Sequence, residues 1–128
     1  MLVALGLQSQ PPSQKAFCKF VVSFNQGEFD AIYDDLNEGF QRQVDRAVVT
    51  GGISHIFETH GRIHSAVIER QTFDEGTYLA IGDEGVFRVL LSVDAGEQID
   101  GLKIKVVATG APLPAPSLVF NNTRRRDQ

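Results

Sequence analysis

Asp100, Tyr33, Tyr78 and the three histidines His55, His60 and His64 are the residues whose type and spacing could do chemistry. Asp100 alternates in step with Leu102, Ile104 and Val106, while Lys103 and Lys105 take the other positions, so strand geometry predicts that the carboxylate faces inward near the end of a sheet. An inward carboxylate among apolar residues is a candidate general base. The competing reading makes Asp100 a solvated rim residue in the turn before Gly101.

Tyr33 shares the apolar helix face of Phe29 and Leu36, where its hydroxyl could donate to a developing oxyanion or simply be satisfied within a core. Tyr78 carries a weaker version of the same expectation. The histidines are spaced by five and then four residues across a helix-to-strand turn, unlike the one-face pair of a zinc helix, and Cys18 is the chain's single cysteine. Neither a metal nor a cofactor is expected. His55 precedes Ile56-Phe57 and is placed at the wall of a pocket with Phe17, Tyr33, Tyr78 and Asp100.

These residues are positioned by two kinds of pattern. Phe17, Phe20, Val21 and Phe24 recur at helical spacing, after Ser13 as an N-cap and before Asn25-Gln26-Gly27 as a stop. Phe29, Ile32, Tyr33 and Leu36 repeat the spacing in a second helix, and Phe40, Val44, Ala47 and Val48 give a third that stops near Gly51-Gly52. A further turn carries Ile53, Ile56 and Phe57 to Gly61, read as a left-handed cap; one helix through both glycines would cost about 1 kcal/mol at each.

From Arg62 the period changes to two. Segments 63–72, 77–81, 86–93 and 98–107 are rich in β-branched and large apolar residues and are joined by short turns bearing Asp and Gly. Connections this short join antiparallel neighbours. The expected fold class is therefore α+β, about three N-terminal helices packed on a curled four-stranded antiparallel meander, with a ligand-sized hollow between the layers.

Phe87, Val89, Leu91 and Val93 should meet the helices. Val86, Arg88 and Leu90 then form an outer face that fits a homodimer interface, with Arg88 in a cross-subunit ion pair. Residues 1–13 read as a disordered lead-in or a signal-peptide remnant, 14–108 as the folded domain, and 109–128 as a proline-rich linker and polar tail. Leu118-Val119-Phe120 reads either as an arm packing back or as the opening of a further segment.

Formal charge is −4, and the basic cluster Arg124-Arg125-Arg126 lies in the tail, so nucleic acid is not an expected partner. No apolar run approaches the ~20 residues that span a bilayer, so no membrane partner is expected either. Whether the chain is cytoplasmic or exported stays open.

The run Phe24-Asn25-Gln26-Gly27-Glu28-Phe29-Asp30-Ala31-Ile32-Tyr33, the later Ile56-Phe57 and Gly61-Arg62-Ile63, and the closing Ile99-Asp100-Gly101-Leu102-Lys103-Ile104 together resemble the nuclear transport factor 2-like superfamily, in its small bacterial branch. The resemblance covers about residues 14–107. It implies a cone-shaped fold, a pocket between helices and sheet, and dimerisation through the sheet's outer face. Relatives of that kind include isomerases, hydrolases and dehydratases, transport adaptors, and non-catalytic domains appended to hydrolases. Three functions follow as expectations: a non-catalytic module that binds a small apolar ligand or dimerises, an acid–base enzyme using Asp100 and Tyr33 on an apolar substrate, or a protein-interaction adaptor.

Overall fold

The computed structural model describes residues 10–109 and 118–121, with side chains described over 10–108. The expected lead-in over residues 1–9, the proline-rich stretch 110–117 and the polar tail 122–128 lie outside the described residues. Four helices come first: α1 (Pro12–Gln26), α2 (Phe29–Asp34), α3 (Glu38–Gln41) and α4 (Arg46–His60). Five strands follow: β1 (Ile63–Gln71), β2 (Glu75–Gly82), β3 (Gly85–Val93), β4 (Ile99–Thr109) and β5 (Leu118–Asn121). They form one antiparallel sheet in the order β1-β2-β3-β4-β5. The expected meander is present, but it has five strands, because residues 118–121 pair with Gly101–Ile104 along the edge that β4 would otherwise expose.

Helix α1 begins earlier than its apolar spacing suggests. Pro12 occupies the first turn, where a missing N–H costs nothing. Ser13 is not the cap; it is fully buried, and its hydroxyl donates to the Thr72 carbonyl at 2.8 Å, tying the helix start to the β1–β2 turn. The stop is as expected. Gly27 adopts φ 74°, and the N–H groups of Gly27 and Glu28 bond the carbonyls of Phe24 and Ser23. Asn25, one turn from that end, uses both amide atoms to clamp the backbone of Ile63 at the start of β1.

The third and fourth helical segments are one helix, α4, which runs through Gly51-Gly52. Buried Val49, Ile53, Ile56 and His60 lie along one face, and their burial outweighs the two glycine penalties. Phe40 belongs to the separate short α3, where Asn37 accepts from the Phe40 N–H at 2.8 Å as a true N-cap. Gly61 ends α4 at φ 77°, ψ −166°, an extended positive-φ conformation rather than the left-handed helical cap, and a Cβ there would lie 2.7 Å from Asp83.

Phe17, Phe20 and Phe24 of α1 lie on Tyr78, Ala80, Phe87 and Val89 of the sheet's inner face, and Ile32, Leu36, Phe40, Val49, Ile53 and Ile56 complete the core. Tyr78 is fully buried and stacks on Phe17 with 4.0 Å between ring centroids and 8° between planes. Its ring lies along the strand over Gly76. A Cβ at Gly76 would overlap the Tyr78 hydroxyl and ring, which Phe17 holds in place.

Two glycine substitutions should therefore have opposite signs in urea unfolding. Gly76→Ala should destabilise by on the order of 1–3 kcal/mol through overpacking. Gly51→Ala, in an exposed helix position with nothing within 4 Å of the new methyl, should stabilise by about 0.5–1 kcal/mol.

Candidate functional site

The residues expected to line a pocket do not line one. Phe17 and Tyr78 are stacked on each other, and the rings continue inward: Phe24 stands 5.3 Å from Phe57 and 5.6 Å from Phe87 between centroids. Edge-on and stacked aromatic contacts of this kind fill the space between the layers. Tyr33 is buried, and its hydroxyl donates to the backbone carbonyls of Gln41 and Val44, each at 2.9 Å, so it holds the α3–α4 connection rather than facing a ligand. Arg46 lies over the same ring, 4.7 Å from its centroid, while bonding Asp30 and Asp34. His55 is exposed on α4.

Asp100 lies on the opposite face from the one its spacing predicts. Ser92 pairs with Gly101 and Val93 with Ile99, which leaves Asp100 as the extra residue of a β-bulge. Ile99 and Leu102 point into the core, and Asp100 turns outward to accept the Ser92 hydroxyl at 2.6 Å. Gly101 makes room for that bond, since a Cβ there would stand 2.6 Å from Ser92 Oγ. Asp100 and Tyr33 are thus separated by the sheet. The acid–base pair required for the enzyme reading is not formed.

Arg88 also differs from expectation. Its guanidinium makes a two-pronged ion pair within the chain, Nε to Glu69 Oε1 at 2.7 Å and the second nitrogen to Oε2 at 3.1 Å. The pair reaches from β3 across β2 to β1, and Arg88 holds the Glu69 carboxyl below the ordinary range. Glu69, on the outer side two residues after Val67, is itself the extra residue of a bulge between Ile68 and Arg70, and the shift brings Arg70 to the outer face as well.

His60 is the chemically distinctive group that the sequence left in an undistinguished trio. It is 1% exposed at the end of α4, edge-on to Phe87, and its Nε2 has no side-chain or backbone partner at full hydrogen-bond geometry among the described residues. Thr59 Oγ1 lies 3.0 Å from the His55 carbonyl and 3.2 Å from that of Ile56. The same oxygen stands 2.7 Å from His60 Nδ1, a contact in which either partner can supply the proton. A signal for the burial was available: His60 continues the Val49-Ile53-Ile56 face by one further turn.

No group of three or more potential metal ligands occurs among the described residues. No described helix is long and apolar enough to cross a membrane. One open hollow of about 360 Å³ lies between α1 and the β3–β4 hairpin, but its charges pair with one another, Lys19 with Asp35 at 3.1 Å and Lys15 with Glu97 at 3.8 Å. Another, of about 240 Å³, lies on the outer sheet face. Comparison with models of protein families, with curated proteins and with solved structures returns no match.

Burial pushes the His60 pKa down, His55 adds to that, and the carbonyls of Ile56 and Ala108 only partly oppose it. The folded state therefore binds fewer protons than the unfolded state once pH falls below the ordinary histidine value. Stability present at neutral pH should be lost on acidification from there through the lowered folded value, by on the order of 1.4 kcal/mol per pH unit for one proton. Urea unfolding between pH 7.5 and pH 5, at buffer values chosen by ~0.5 steps, should show this slope in the native chain and a flatter one in His60→Leu. Equal slopes would remove His60 as the cause.

Proposed function

We propose that this domain is a non-catalytic homodimerising module of the nuclear transport factor 2-like type, working through the outer face of its sheet. The observation that carries the reading is the contrast between the two faces. The inner face is packed with aromatic rings, whereas the outer face has no described helix over it and presents Val67, Leu79, Ile81 and Val86 in adjoining positions of β1, β2 and β3. Val67 is 49% exposed, and so is Val107, which follows outward-facing Lys105 by two residues on β4.

A row of side chains of this kind loses its contact with water when a second copy is laid on it, at roughly 25 cal/mol per Å². A two-fold contact brings the same patch from each subunit together. Val86 then lies within the interface, Arg88 with Glu69 borders it as an intrachain pair, and Leu90 of the expected interface lies beyond that border. The order of helices before an antiparallel meander supports the superfamily reading. A cone with a filled interior suits a domain that assembles larger proteins rather than one that turns over a substrate.

Sedimentation equilibrium of the full chain should give a dimer at micromolar concentration. Val67→Glu and Leu79→Glu should each weaken it by roughly 30-fold or more, about 2 kcal/mol, while leaving the circular dichroism spectrum and unfolding midpoint close to native. A native chain that stays monomeric, or glutamate variants that stay dimeric, would reject the proposal.

A further inference from the structure

The outer face is not uniform along its strands. The pairing register aligns Arg70, Thr77, Leu90 and Lys103 in one row across β1–β4, and Glu75, Ser92 and Gly101 in the next. Directly opposed residues share a face, so all of them project outward. Long side chains stand at the ends of the first row, and Thr77, Ser92 and Gly101 form a floor of small ones. This difference in size makes the hollow of about 240 Å³.

Arg70 and Lys103 flank that hollow from strands three spacings apart, about 14 Å, which is about the combined reach of the two side chains. Neither has a carboxylate partner among the described residues. The Thr77 hydroxyl makes no hydrogen bond within the described residues, and Leu90 supplies an apolar wall. One carboxylate, Glu75, lines the hollow in the next row from Arg70 and Lys103, and Asp100 beside it is held by the Ser92 hydroxyl.

We propose that this hollow binds a small organic carboxylate, its anionic group between the Arg70 guanidinium and the Lys103 ammonium and its apolar body against Leu90 over the Gly101 floor. Two cations at opposite ends of one row lining the hollow favour an anion, and the planar guanidinium favours a carboxylate over a spherical ion. Gly101 is essential to the shape, because a side chain there would fill the floor and displace Ser92 from Asp100. The site adjoins the apolar rows assigned to dimerisation but does not depend on them.

Benzoate is a suitable probe, with benzamide as its neutral counterpart and inorganic phosphate as an anion without an apolar body. In amide NMR titrations of the full chain, benzoate should give saturable shifts at Thr77, Leu90, Ser92 and Gly101. Arg70→Gln and Lys103→Gln should each weaken it about tenfold, as expected for loss of one charge-assisted contact, whereas Lys105→Gln in the neighbouring row should not. The same result in Leu79→Glu would keep the site independent of the dimer. Benzamide binding as tightly as benzoate, phosphate displacing benzoate at equal concentration, no saturable shift, or binding that survives the Arg70→Gln/Lys103→Gln double variant would each overturn the proposal.

Discussion

The contact on which the rest of the structure depends is the stack of Phe17 on Tyr78, with the Tyr78 ring lying over Gly76. It fixes the depth at which α1 sits on the sheet, and every later aromatic contact, from Phe20 through Phe24 to Phe57 and Phe87, follows from that depth. Had residue 76 carried a side chain, the tyrosine would have to swing away and the layers separate. The same constraint places aromatic rings where helices and sheet meet.

The core was legible in the sequence because its periods are regular. Phe17, Phe20 and Phe24 repeat at helical spacing, and Phe87, Val89, Leu91 and Val93 alternate without interruption, so both sets face the core as their spacing requires. The candidate site was not legible, for a specific reason. Alternation gives a side chain's face only while the strand keeps phase, and the register shifts leave Glu69, Asp100 and Val107 as unpaired extra residues. Counting by twos from Leu102 therefore assigns Asp100 to the core, and the bulge reverses it.

Two other departures have different physical causes. Gly51-Gly52 carries a helix because the face formed by Val49, Ile53 and Ile56 is buried, a tertiary gain that local propensity does not contain. Residues 118–121 take the first of the two readings open to Leu118-Val119-Phe120, an arm that packs back, because β4 offers an edge to pair with. At the other edge, β1 is exposed on both faces after Ile63, and its defence is local: two bulges and the charged pair Glu69-Arg70 break the flat run that another chain could pair with.

The bulges also divide the outer face into regions with different chemistry. Glu69 points outward and Arg88, which belongs to the same row as Val67 and Leu79, meets it there, so the ion pair lies between the Ile81-Val86 row and the row that holds Arg70 and Lys103. The two side chains are 35% and 32% exposed, so the pair keeps water at its rim and resists full burial. An interface laid on the apolar rows therefore ends at Arg88. Beyond it, with Arg88 already neutralised, Arg70 and Lys103 are the cations left for an anion, and the small floor residues decide how large that anion can be.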